Sequence, residues 1–184
     1  TPSALKNRVV SLNGIGNICL RIEDYPTADS VFRIALDGET QLGSALGQAI
    51  NLANIGSIFE AKGLTDSARI YYLRSMEKNI KAQSDLGIAL CHQHFGNLYE
   101  KEGKLDQAKS EYQKVYEMAE KIDVWHWQDA CISLARLNHK NGENDKAIAL
   151  LERAKSEGES SHSYDHLEDV YHLLHDIHAA NHQY

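Results

Sequence analysis

The chain has 184 residues, 42% of them apolar, with two prolines, twelve glycines and a formal net charge of −7 with histidine counted neutral. That balance argues against nonspecific binding to nucleic acid or to an anionic membrane surface. No apolar run approaches the roughly 20 residues that a membrane-spanning helix needs, and Cys19, Cys91 and Cys131 have no CxxC spacing, so they read as reduced thiols of a cytoplasmic protein.

In chain order, Leu12, Ile15, Gly16 and Cys19 fall on one face of a first predicted helix. A turn at Glu23 follows, then a second helix with Pro26 in its opening turn and Ala28, Phe32 and Ala35 on its face. The next period repeats the scheme with Leu52, Ile55, Gly56 and Phe59, a turn at Gly63, then Ala68, Tyr71, Tyr72, Ser75 and Met76. His92, Phe95, Gly96 and Tyr99 lead through Gly103 to Ala108, Tyr112 and Val115. Cys131, Leu134 and Ala135 lead through Gly142 to Ala147, Leu151 and Ala154. Asp66, Asp106 and Asp145 open the second helices, where negative charge complements the helix dipole. From His166, with Tyr171, Leu174 and His175 in phase, a fifth first-helix begins, and the sequence ends at Tyr184.

The small residues Gly16, Gly56, Gly96 and Ala135 step by 40, 40 and 39 positions, as do Ala28, Ala68, Ala108 and Ala147. A fixed period of this length marks a stacked-repeat protein. The expected architecture is all-α: four helix pairs over about 9–43, 44–83, 84–123 and 124–160, and a terminal helix over about 163–182. A closing helix without its partner predicts a fragment of a longer protein. Close crossing of paired helices is expected where Gly56 meets Ala68, with Phe59 and Tyr72 filling the space on either side.

These residues resemble the tetratricopeptide repeat, most clearly in Asn54-Ile55-Gly56-Ser57-Ile58-Phe59 and Phe95-Gly96-Asn97-Leu98-Tyr99-Glu100-Lys101-Glu102-Gly103. The usual period of that family is about 34 residues, so this chain is similar to its longer variety. The long form looks like the repeats of spindle-orientation scaffolds, peptide-sensing bacterial regulators and sensory regions of bacterial signalling proteins. The resemblance implies a right-handed α-solenoid whose first helices line a concave groove. Its groove positions fall on Asn13, Asn17 and Arg21; on Asn54, Ser57 and Ala61; on Gln93, His94, Asn97 and Lys101; and on Ser133, Arg136 and Lys140.

Amides at those positions can donate to and accept from an extended peptide, while the cations can meet acidic groups on it. The expected contacts are therefore Asn13, Asn17, Arg21, Asn54, Ser57, His94, Asn97, Lys101, Arg136 and Lys140, with Glu60 and Glu100 tempering the charge. The carboxylate clamp of chaperone-binding members is not expected. Asn17 and Asn54 match its asparagines, but Asn13, Leu90 and His94 stand where it has two lysines and an arginine.

His172, His175, His178 and His182 share one broad helix side, yet no cysteine or carboxylate completes a zinc set, and no metal is expected. In the repeat frame Trp125 is level with Leu46 and Leu86 and is expected in the core; Trp127, level with Gln48 and Ile88, falls near the groove rim, where packing is expected over a partner contact. No glycine-rich phosphate loop, nucleophile elbow or paired carboxylates appear, so neither catalysis nor a cofactor is expected. The reading is a scaffold for a partner protein or extended peptide, without direct nucleic-acid or membrane contact. Self-association through the solenoid ends is a further expectation. The alternative is the sensory or regulatory region of a larger signalling protein, a histidine kinase, diguanylate cyclase or transcriptional regulator, whose output domain lies outside this chain.

Overall fold

A computed structural model describes residues 1–119 and 123–181. Among the described residues the chain forms nine helices and no strand. They are α1 (Pro2–Arg21), α2 (Tyr25–Gln41), α3 (Ala45–Ala61), α4 (Thr65–Ala82), α5 (Asp85–Lys101), α6 (Leu105–Ala119), α7 (Val124–Lys140), α8 (Asn144–Ser161) and α9 (Leu167–Asn181). They fall into two compact units, Thr1–His94 and Phe95–Tyr184. In the first, α1 packs on α2, α2 on α3 and α3 on α4; in the second, α6 packs on α7, α7 on α8, and α9 on both α7 and α8.

Seven of the described helices stop where one residue turns left-handed. Positive φ recurs about every twentieth position, at Glu23 (61°), Gly43 (68°), Gly63 (72°), Gln83 (54°), Gly103 (73°), Gly142 (76°) and His162 (58°). The residue after each donates its N–H five positions back, as in Asp24 to Cys19 (2.9 Å), Ser84 to Asn79 (3.0 Å) and Ser163 to Gly158 (2.9 Å). That bond satisfies a helix-terminal carbonyl and defines the Schellman stop. Three of the seven positions lack glycine, so those turns hold a side chain at a cost of about 1–2 kcal/mol each. Starts are capped as well: Ser44 Oγ accepts from Gly47 N (3.0 Å) and Ser84 Oγ from Gly87 N (3.1 Å). Pro26 lies in the first turn of α2, and Asp66, Asp106 and Asp145 in those of α4, α6 and α8, as expected.

The packing of each pair differs in one respect from the sequence expectation. Tyr72 does not sit beside the glycine; its ring lies against it. A Cβ on Gly56 would come within 2.6 Å of the Tyr72 ring, and one on Gly16 within 2.5 Å of Phe32. Gly96 faces Tyr112 in the same way. The partner is sixteen residues on in each case. In the last pair the same offset joins Ala135 to Leu151, both fully buried in one core cluster. An alanine methyl thus goes with a leucine, and a bare α-carbon with an aromatic ring.

This complementarity predicts a coupled pair of substitutions. Gly16→Ala forces its methyl into Phe32 and should cost about 1–3 kcal/mol, the range for overpacking. Adding Phe32→Leu recreates the Ala135–Leu151 combination and should return part of that loss. Urea unfolding of the two single variants and the double variant measures the coupling; strictly additive losses would contradict the steric account.

Candidate functional site

Three positions on the first helices of the first unit repeat with the 40-residue step. Leu46, Ile50 and Asn54 on α3 correspond to Leu86, Leu90 and His94 on α5. Spacings of four place each set along one helix face. Between the two sets lies a cavity of about 350 Å³, bordered also by Ala49, Ala53 and Cys91. Leu46 and Ile50 are 46% and 47% exposed, although α3 is otherwise the most buried helix of its unit.

Polar groups from α4 hold the floor of this cavity. Ser75 Oγ donates to Ala49 O (2.9 Å), and Asn79 Nδ2 donates to Gly87 O (3.1 Å). Asn79 reaches α5 because Gly87 carries no Cβ where the amide lies. Burial pushes the Cys91 thiol up, against hydrogen bonds with Ser75 and Asn79, so it stays protonated at neutral pH.

Beyond the cavity the tyrosines that face the glycines bring their hydroxyls out among the first-helix polar residues. Tyr72 Oη donates to Glu60 Oε2 (2.6 Å) and lies 3.3 Å from Ser57 Oγ. Its ring stacks on His94, with centroids 4.2 Å apart and planes 8° from parallel. Burial holds the His94 imidazole below its ordinary 6.5, opposed by the Glu60 carboxylate, so the ring is neutral at pH 7. In the second unit Tyr112 Oη has two acceptors for its one proton, Asn97 Oδ1 at 2.8 Å and Glu100 Oε2 at 3.1 Å. Glu100 also receives Lys140 Nζ at 2.6 Å and Arg136 Nε at 3.7 Å. Burial opposes its charge, but Lys140, Arg136 and Tyr112 outweigh that and hold its carboxyl below the ordinary range.

The residues expected from the sequence thus fall into distinct groups. Asn54 and His94 line the cavity. Ser57 and Asn97 meet the tyrosine hydroxyls, and Arg136 and Lys140 meet Glu100. On α1, Asn13 is half-buried while Asn17 and Arg21 are exposed; Lys101, at the end of α5, is also exposed. Of the two tryptophans, Trp125 departs from expectation and Trp127 packs as expected. Trp127 is 3% exposed and packs near Tyr116, with Arg153 5.0 Å from its ring, while Trp125 is 41% exposed. His172 and His175 are exposed beside Glu168 and Asp176, and His182 lies outside the described residues. Leu46, Ile50, Leu86 and Leu90 were legible only as a recurring apolar pair. Nothing in an almost uncharged helix such as α3 marks which apolar face stays open.

Residues 89–122 and 130–162 each match a family model of the tetratricopeptide repeat. The chain carries tetratricopeptide repeats. Among solved structures, it is similar to aspartyl phosphate phosphatase F from Bacillus subtilis, with a TM-score of 0.82 and 17% identity over 99% of this chain. The chain spans 48% of that protein's length. It is also similar to BtubC (BKLC) from P. vanneervenii, with a TM-score of 0.71 and 18% identity, covering 89% of this chain and 67% of that one. A kinesin-light-chain-like protein of Podosopora anserina with nearly identical TPR-like repeats gives a TM-score of 0.71 and 16% identity, covering 100% and 89%. No curated protein matches the chain in sequence. These likenesses carry the fold, an all-α tetratricopeptide-type solenoid. None of its described helices is long and apolar enough to cross a membrane.

The two titrations have signs that can be checked. His94 binds its proton less readily folded than unfolded, so stability falls as pH drops below 6.5 toward its lowered value. Glu100 has a lowered folded value too, so its contribution is complete above 4.5 and is lost as pH falls through that lowered value. Urea midpoints taken from pH 8 to pH 3 should show His94→Phe, which keeps the ring stack, flattening the upper limb. Glu100→Gln should flatten the lower one.

Proposed function

We propose that the chain is a scaffold that holds a segment of a partner protein on its first-helix face, with the α3–α5 cavity as the anchor in the first unit. The observation that carries this reading is the pairing of exposed Leu46 and Ile50 with Leu86 and Leu90 around one cavity. Open apolar surface gathered in a concavity is the usual form of a binding site. Aliphatic side chains of the partner would fill it, and Asn54, with two donors and an acceptor, would fix the partner's backbone.

The polar contacts take a subordinate place in this reading. Arg136 and Lys140 already neutralise Glu100, so an incoming carboxylate would have to displace that ion pair for little net gain. Asn13, Asn17, Arg21, Ser57, Asn97 and Lys101 remain proposed flanking contacts. His94, neutral and stacked, would serve as a wall of the cavity and not as a cation.

Site-specific photocrosslinking tests the assignment. A benzoylphenylalanine at Ile50 should give a discrete adduct in the native cell extract, whereas one at Leu73, equally apolar and 55% exposed on α4, should not. Ile50→Glu introduced beside an Ala53 crosslinker should abolish the adduct. Equal adducts from both helices would place binding elsewhere.

A further inference from the structure

In the second unit the same stripe changes character. Trp125, Asp129 and Ser133 on α7 stand in the repeat frame where α5 has Leu86, Leu90 and His94. Trp125 is 41% exposed, its ring 4.5 Å from that of His166 and 4.7 Å from that of His126. Asp129 follows one helical turn on, on the same face. It is half-buried and makes no ion pair among the described residues. His166, just before α9, is only 8% exposed, and its Nε2 is buried without a hydrogen-bond partner.

The charges around Asp129 leave it short of a cation. Burial pushes its carboxyl up; His166, Arg136 and His126 oppose this, and Asp169 reinforces it. His126 is held by Asp123 at 2.8 Å, while Arg136 is engaged with Glu100 at 3.7 Å and Ser133 at 3.4 Å. The imbalance extends to the whole unit. Residues 95–184 hold ten lysines and arginines against seventeen aspartates and glutamates, whereas residues 1–94 hold nine of each.

We propose that Trp125 and Asp129 form a site for one arginine or lysine side chain of a partner protein. An exposed indole face attracts a cation, and a partly desolvated carboxylate one turn away gains most from a charge-assisted hydrogen bond. Arginine is preferred. Its planar fork of N–H donors can meet the carboxylate in two parallel bonds, which an ammonium cannot. The site is independent of the α3–α5 cavity and takes the opposite charge from the acidic partner that the sequence led us to expect.

The two tryptophans supply the experiment. Each gives one indole N–H signal in a proton–nitrogen correlation spectrum, and buried Trp127 is an internal control for the fold. The 184-residue chain is titrated with acetyl-Gly-Arg-Gly-amide, and with its lysine and glutamate counterparts. The arginine peptide should move the Trp125 signal saturably, with a dissociation constant of order millimolar, and the lysine peptide more weakly. The glutamate peptide should leave it in place, and the Trp127 signal should not move. Asp129→Asn, with the Trp127 signal unchanged, should weaken the arginine peptide by about tenfold, one lost charge-assisted contact. A Trp125 signal unmoved by about 20 mM arginine peptide, well above the expected constant, would overturn the proposal. So would an equal response to glutamate, or undiminished binding by Asp129→Asn.

Discussion

In three of the helix pairs an aromatic ring of the second helix lies against the α-carbon of a first-helix glycine, and the space exists only because no side chain occupies it. Phe32 fills it at Gly16, Tyr72 at Gly56 and Tyr112 at Gly96. A ring so placed is fixed in depth as well as in position, since close-packed interiors leave it no alternative. For the two tyrosines that depth decides where the hydroxyl emerges. It meets Ser57 and Glu60 in one pair, and Asn97 and Glu100 in the other. Phe32 has no hydroxyl to satisfy, and the place of Glu60 and Glu100 is taken in its repeat by Leu20. The carboxylate accompanies the phenol because a buried hydroxyl without an acceptor is costly.

The consequences reach the face where a partner would lie. Burial and the neighbouring carboxylates push the Tyr72 and Tyr112 phenols far above their ordinary range, so both remain donors at any ordinary pH. Glu60 and Glu100 must then stay as acceptors, and Glu100 draws Lys140 and Arg136 to itself. Part of what looks like a polar recognition stripe is therefore internal wiring. Side chains that serve the fold in this way give little net binding energy to a ligand, because each new contact replaces an old one.

The fold was legible because its constraints are steric and recur. Gly16, Gly56, Gly96 and Ala135 announce the period, and the helix stops at Gly63, Gly103 and Gly142 follow from glycine's freedom at positive φ. The stops at Gln83 and His162 were not legible, since neither residue favours the left-handed region and only the flanking helices impose it. The site was read less well. Asn54 and His94 were named from groove positions, but the burial that keeps His94 neutral comes with a stack on Tyr72, twenty-two positions away in sequence. Trp125 was misplaced for a related reason. The repeat frame puts Trp125 level with Leu46, and Leu46 itself proves to be 46% exposed.

That last comparison separates what repetition fixes from what it leaves open. Positions that set the helix crossing hold the same kind of residue in all four repeats: glycine or alanine in one series, and alanine throughout the other. Alanine at Ala28, Ala68, Ala108 and Ala147 is fully buried each time. The stripe one turn toward the start of each first helix behaves differently. It reads Lys6, Val10, Gly14 in the first repeat, then Leu46, Ile50, Asn54, then Leu86, Leu90, His94, and finally Trp125, Asp129, Ser133. No packing rule requires the change from leucine to aspartate at a half-buried position, and burial without a partner makes it unfavourable for the folded chain alone. Asp129 departs from the repeat without a structural return. A ligand that supplied its missing cation would account for the departure, whereas the apolar stripe of the middle repeats suits an aliphatic anchor. Equivalent positions of the repeat thus carry two chemistries, aliphatic at Leu46 and Leu86 and aromatic with acidic at Trp125 and Asp129.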